Sequence, residues 1–403
     1  MSMDIDSQLE IIRRGAKEIV TEEDFKEMLE SAAKEGRALR VKFGCDPSAP
    51  DIHLGHVVIL RKLRQFQELG HTVLFLIGDF TARIGDPSGK NATRPPLTEE
   101  QVNENAKTYK DQVFRVLLPE RTEVVFNNDW LGKLSPHDIV RLCSSHTVAR
   151  MLERDDFSKR FRDNIPIRIH EFLYPLFQGY DSVALDSDVE LGGSDQLFNL
   201  LVGRELQRDA GQTPQVALTM PIIEGLDGVQ KMSKSLNNYV GVTDEPNDMF
   251  GKLMSIPDTL IARYMLLLTD IPEEEINGIA MEIYMGSENP RNFKVRLAKE
   301  IVAFFHGAEA ADGAEAEFDR VFANKELPSD METCLLDAAE KPAVDLLTET
   351  GLVPTKGEAR RMIRQKAARL DGELIESETD VVTITPGAVL KVGKRRFIRL
   401  DIK

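Results

Sequence analysis

Apolar and polar positions change their period along this chain, and the changes mark out elements. Residues 38–44 alternate and enrich apolar types as a strand does, and Asp46-Pro47-Ser48-Ala49-Pro50-Asp51 then reads as a turn into a helix. Val57, Leu60, Leu63, Phe66 and Leu69 recur at helical spacing until Gly70, a natural stop. Residues 72–77 read as a buried strand. This order of strand, loop, helix and strand predicts a parallel sheet with right-handed crossovers, whose ligands bind beyond the carboxyl ends of the strands.

Residues 98–162 read as mainly helical and charged, 163–220 as sheet-forming, and the stretch from Tyr239 to about Phe322 as helix-rich. An acidic, alanine-rich segment over 308–340 reads as helix plus linker, with a boundary at Lys341-Pro342. The length of 403 residues agrees with two or three units, since one core rarely extends that far.

Composition narrows the class. Hydrophobic residues are 42% and charged residues 29%, ordinary for a soluble globular protein. The chain opens without a basic-then-apolar leader, and no apolar run approaches the roughly 18 residues needed to span a bilayer, so a cytoplasmic location is expected and no membrane partner. Cys45, Cys143 and Cys334 lack the spacing of a zinc site or a disulfide framework and read as structural thiols. A net charge of −16 argues against broad affinity for nucleic acid, but the charge is uneven. From Lys341 onward thirteen Lys or Arg stand against nine Asp or Glu.

Two short strings carry the chemistry. His53 and His56, spaced i,i+3 at a helix start, put both imidazoles on one side of the first turn, with Asp51 a candidate cap. The helix N-terminus and imidazole donors suit charge building on an α-phosphate, and Gly55 lets an adenine approach the backbone. Alone, such a pair is more often two solvent-facing histidines. Lys231-Met232-Ser233-Lys234-Ser235, bounded by Gly225, Gly228 and Gly241, places two ammonium groups where they could close over a pyrophosphate; alone, it is more often a solvated basic loop. Gly85-Asp86-Pro87-Ser88-Gly89-Lys90 is no Walker loop, because three residues separate its glycines and Asn91 follows the lysine.

The strings resemble the HIGH and KMSKS signatures of class I aminoacyl-tRNA synthetases. The run from Asp46 through His53-Leu54-Gly55-His56 looks like the signature of tyrosyl-tRNA synthetases, and residues 78–90, 169–181 and 191–196 resemble that family's loops in the same order. The likeness covers nearly the whole chain, most closely a bacterial subgroup with the full KMSKS string. It implies a homodimeric enzyme that uses ATP as substrate, with Mg2+ carried by the ATP and no protein-held metal, to make tyrosyl-adenylate from L-tyrosine and then esterify tRNA(Tyr).

The resemblance also implies roles. His53, His56, Lys231 and Lys234 would stabilise the adenylation transition state, joined by Lys90 and Arg94 from the loop after Gly85. Asp46, Ser48, Gly55, Met232, Ser233 and Ser235 would face ATP. Asp86, Tyr174 and Gln178 would hold the substrate ammonium, with Gln196 in the matching Gly192-Gly193-Ser194-Asp195-Gln196 string, and Asp181 would receive the phenol hydroxyl. Without the family context a turn cap, a core hydroxyl and a surface charge are the plainer readings of Asp86, Tyr174 and Asp181. Lys42 departs from the family pattern, which commonly has a tyrosine there that also contacts the phenol; it could point into the pocket, away from it, or toward a carboxylate such as Asp181.

The expected architecture is an α/β, Rossmann-like, doubly wound parallel-sheet catalytic domain over 1–243, with an inserted helical dimerisation segment over about 98–162. A helical anticodon-binding domain over 244–325, a linker over 326–340 and a small α+β unit over 341–403 follow. That last unit resembles the S4 RNA-binding module: a helix over 357–370 bears Arg360, Arg361, Arg364, Lys366 and Arg369, and short strands follow. A nucleotidyltransferase would share the first string but would not need the rest, and a noncatalytic RNA-binding regulator would not keep every matched catalytic position.

Overall fold

The computed structural model describes residues 3–47, 52–87, 98–322, 331–393 and 396–403. Two compact units divide it, residues 1–314 and 315–403.

The first unit is built on a six-stranded sheet. Its strands are β1 (Glu18–Val20), β2 (Arg40–Cys45), β3 (Thr72–Ile77), β4 (Thr122–Phe126), β5 (Val189–Gly193) and β6 (Val216–Met220), in the order β1-β6-β5-β2-β3-β4. All neighbours are parallel except β1, which runs antiparallel along β6. The apolar run of β3 is buried as expected, because helices leave a parallel sheet little solvent-facing surface. From β2 the chain winds outward through β3 and β4, then returns to the other side of β2 with β5 and β6. The order therefore reverses between β2 and β5, and a crevice opens at their carboxyl ends.

One strand lay hidden in the sequence. β4 falls inside the stretch expected to be helical, and its residues are only partly buried, as befits the edge of the sheet, so no clean apolar run announces it.

Helices fix the crevice. The 54–68 helix packs on β3 and β5, the 197–209 helix on β5 and β6, and the helices over 169–185 and 197–209 pack closely on each other. A Cβ on Gly179 would stand 2.9 Å from Leu206 Cδ1 and 3.1 Å from Gly203 N, so the glycine sets that spacing. Helices over 246–253, 261–268, 273–285 and 290–306 follow, as expected for this stretch. They belong to the same compact unit, tied by Tyr264, whose hydroxyl donates to Glu224 O at 2.6 Å, and by an Arg61–Asp270 ion pair.

The second unit holds a five-stranded sheet ordered β10-β9-β12-β13-β7 and a β8–β11 pair. The strands are β7 (Thr333–Leu336), β8 (Glu340–Pro342), β9 (Ala368–Leu370), β10 (Glu373–Leu374), β11 (Val381–Thr383), β12 (Val389–Val392) and β13 (Arg396–Ile402). Leu336, Leu346, Leu347, Ile363, Leu390 and Leu400 form its core. Two expectations change here. β7 lies within the expected linker and pairs in parallel with β13, so this unit takes in residues before 341. The basic helix is also shorter, Lys356–Arg364: the backbone turns left-handed at Lys366 (φ 56°), and Arg369 lies on β9.

Candidate active site

The first signature string is laced by backbone to the segment that follows the second. Leu54 N donates to Val240 O at 2.9 Å and Val242 N to Ile52 O at 3.1 Å, around an antiparallel bridge between His53 and Gly241. Met232 is buried at 1% exposure, its Cβ 3.7 Å from where a side chain on Gly55 would begin. A Cβ added at Gly55 would meet the His53 ring at 2.9 Å, so the imidazole folded over the turn requires glycine at 55.

That imidazole caps its own helix. His53 Nδ1 accepts from Gly55 N, and His56 Nδ1 accepts from His53 N, both at 3.2 Å. The expected cap, Asp51, lies outside the described residues; the N-cap of the Leu54–Glu68 helix is His53. With Nδ1 accepting, each neutral ring carries its proton on Nε2. Burial, then the neighbouring His56 and Lys231, pushes His53 down to about 2, and burial with Lys231 brings His56 to about 4. Both rings are therefore neutral donors at pH 7, and the positive charge comes from the lysines. Lys231 Nζ sits 3.2 Å from Asp195 Oδ2 and is 60% exposed, while Lys234 Nζ lies 5.6 Å from the centre of the Tyr239 ring.

Beyond β2 and β5 a cavity of about 540 Å³ opens. All the described candidates for ATP or tyrosine line it: Asp46, His53, Gly55, His56, Asp86, Tyr174, Gln178, Asp181, Gln196 and residues 231–235. Ser48, Lys90 and Arg94 lie outside the described residues.

A polar floor organises this cavity. Tyr174, buried, donates its hydroxyl to Asp46 Oδ2 at 2.9 Å, and Thr81 Oγ1 donates to the other Asp46 oxygen at 2.7 Å. Burial, with Asp46 nearby, holds the Tyr174 phenol well above its ordinary value. Gln196 Nε2 donates to Asp86 Oδ2 at 3.0 Å, and Asn199 Nδ2 bridges Gln178 Oε1 and Gln196 Oε1. Arg154 approaches Asp86 at 3.5 Å.

Asp181 is 1% exposed. Trp130 Nε1 donates to its Oδ1 at 2.7 Å and Asn127 Nδ2 to its Oδ2 at 3.2 Å. Burial pushes this carboxyl up to about 7, against the opposing pull of Lys42 and the two donors. Lys42 resolves toward a carboxylate, though not Asp181. It is fully buried and spends its three protons on Gln178 O (3.0 Å), Ser182 Oγ (2.8 Å) and Glu190 Oε1 (3.0 Å).

Asn127, Trp130, Arg154, Glu190 and Asn199 escaped the sequence reading. Only Trp130 left a signal, as the chain's single tryptophan in a charged stretch. In the second unit Arg360, Arg361, Arg364, Lys366 and Arg369 are all exposed; Arg360 and Arg364 face Glu378, and Arg361 lies 3.4 Å from Glu358.

Known proteins similar to this chain place it in a family. The family described as tRNA synthetases class I (W and Y) matches residues 34–323. A tyrosine-tRNA ligase of Moorella thermoacetica is 54% identical over 99% of this chain and 97% of its own length. One from Thermotoga maritima is 55% identical over 98% of each chain. The crystal structure of a tyrosyl-tRNA synthetase from Archaeoglobus fulgidus, complexed with L-tyrosine, superposes with a TM-score of 0.62 at 25% identity, covering 77% of this chain and 99% of that one. This chain belongs to the class I tRNA synthetase family of the W and Y enzymes.

Proposed function

We propose that this chain is a tyrosine-tRNA ligase, which joins L-tyrosine to ATP as tyrosyl-adenylate with release of pyrophosphate, and then passes the tyrosyl group to the 3′ end of tRNA(Tyr). The observation that carries this reading is the single cavity lined at once by both signature strings and by Tyr174, Gln178 and Asp181. The full-length likeness to tyrosine-tRNA ligases supports the choice of tyrosine over tryptophan.

In the first step a carboxylate oxygen of tyrosine attacks the α-phosphorus of ATP, and the bond to pyrophosphate breaks. The neutral His53 and His56 offer Nε2–H donors to charge building on the phosphate, and Lys231 and Lys234 offset the leaving pyrophosphate together with the Mg2+ that ATP brings. No enzyme group becomes covalently bonded, so orientation and electrostatics supply the rate. Asp86, Tyr174, Gln178 and Gln196 orient the ammonium end, and Asp181 accepts a hydrogen bond from the phenol hydroxyl. Phenylalanine would bring no donor to Asp181, whose acceptor capacity beyond Trp130 and Asn127 would then go unmet in the interior, a cost of about 1–3 kcal/mol. In the second step a ribose hydroxyl of tRNA attacks the acyl carbon and AMP leaves.

Residues 244–325 serve the anticodon arm and the basic second unit binds RNA in this reading. The protein works in the cytoplasm; among the described residues no helix is long and apolar enough to cross a membrane. A homodimer is supported by Val140, Val148, Phe161 and Ile169, apolar residues 65–81% exposed within 98–169.

Tyrosine-dependent exchange between ATP and pyrophosphate tests the assignment. Exchange driven by tyrosine and not by tryptophan or phenylalanine is expected. Exchange with tryptophan instead overturns the amino acid, and no exchange with RNA binding retained overturns the enzyme.

A further inference from the structure

Lys42 and Glu190 form a buried ion pair, 0% and 1% exposed at the side chain, on adjacent strands directly below the cavity. Lone buried charges are costly, and such a pair persists only when its remaining hydrogen-bonding capacity is met. Here it is met on both sides. Glu190 receives Lys42 and Gln178 on Oε1, and Ser182 and Gln215 on Oε2. Lys42 gives its other protons to Gln178 O and Ser182 Oγ. Four of these contacts converge on one turn of the 169–185 helix, Gln178 to Ser182, and Asp181 lies within that turn.

We propose that Lys42 and Glu190 act as one positioning unit for tyrosine, locking the helical turn that carries Gln178 and Asp181 and setting the electrostatic field at Asp181. The proposal rests on the reading of Asp181 as the phenol acceptor. It gives Lys42 a role without contact to substrate, since its protons are already committed. The unit also reaches the ammonium end through Gln178, Asn199, Gln196 and Asp86, which follow one another in hydrogen-bonded sequence.

Among the described residues the charged surroundings of Asp181 are few. Lys42 of β2 lowers its pKa and Glu190 of β5 raises it. Trp130 and Asn127 are neutral donors. Asp79, at the turn after β3, accepts from Asn128 N. On the same helix Tyr174 is neutral and bonded to Asp46. The 197–209 helix turns its Arg204 to Asp24 and its Glu205 to Arg150. β3 and β4 contribute the apolar Leu74, Leu76 and Val125 nearby.

The two halves of the pair therefore push Asp181 in opposite directions, which separates a tuned site from a plain structural bridge. The experiment is the pH profile of kcat/KM for tyrosine, read by exchange at saturating ATP, for the full chain and for Lys42→Met, Glu190→Gln and the double variant. Lys42→Met is expected to move the acid limb to higher pH by about one unit and Glu190→Gln to lower pH, with KM for tyrosine raised about tenfold in Lys42→Met and KM for ATP unchanged. The double variant leaves no unpaired buried charge, so it folds even if Lys42→Met does not; its limb is expected above that of the parent, by less than in Lys42→Met. Limbs that stay in place, or that move the same way in both single variants, overturn the proposal, as does an unmoved limb in the double variant. Asp181→Asn separates the two layers: a loss of about a hundredfold in tyrosine kcat/KM upholds the phenol reading, and near-parent activity removes that reading and the proposal with it.

Discussion

The Trp130 indole donates to Asp181 Oδ1 at 2.7 Å, so the only tryptophan of the chain is committed to one buried carboxylate. The contact steadies an acceptor that burial alone would drive toward its neutral form. Trp130→Phe keeps the ring and removes the donor. A hydrogen bond to a charged group contributes about 1.5–3 kcal/mol, so KM for tyrosine should rise by about 10- to 100-fold with KM for ATP unchanged. Exchange kinetics check this, and an unchanged tyrosine KM would remove Trp130 from the support of the site.

Asp181 should also cost stability. Its carboxyl titrates near 7 in the fold against about 3.9 in an unfolded chain, so the unfolded state loses its proton first as pH rises. Stability from this group is full below about pH 4 and is lost as pH climbs through 7. Asp181→Asn should therefore gain melting temperature relative to the parent between pH 4 and pH 8 while tyrosine activation collapses. A difference in Tm that stays flat across this range would contradict the burial-driven shift.

Histidines act in the opposite direction. His71, which accepts from Leu39 N at 3.2 Å, is held by burial near 4, and His56 lies near 4 as well. Both fall below the unfolded value of about 6.5, so the unfolded state takes up protons first on acidification. Their contribution is present above about pH 6.5 and is lost as pH falls toward 4. Because Asp181 acts the other way over the same range, the readout is a difference: between pH 7.5 and 4.5 the Tm of the parent should fall relative to that of His71→Gln.

The basic second unit makes a separate prediction. Arg361→Gln and Arg369→Gln should weaken tRNA binding and reduce the salt slope by about one for each phosphate contact removed. Tyrosine-dependent exchange should not change. Equal tRNA affinity and salt slope in parent and variants would make these arginines a solvated face.

Much of the site was legible because its chemistry lies in contiguous strings. His53 and His56 share one turn, residues 231–235 form one loop, and the apolar run of β3 cannot be mistaken for a surface segment. The charged stretch that holds β4 was not legible, because an edge strand with partly exposed side chains carries no strong period. The helix bearing Arg360 was read too long, since the left-handed turn at Lys366 is a backbone choice that its side chain does not advertise.

The sequence by itself determined the parallel α/β core, the pairing of two nucleotide-site strings and the basic character of the second unit, because local periodicity and short motifs need only neighbouring residues. Only the tertiary structure decided where Lys42 points, that Glu190 receives it, and that Asn127 and Trp130 steady Asp181. Those contacts join residues far apart in the chain. Their strength comes from exclusion of water, a property of the packed interior that no single segment carries.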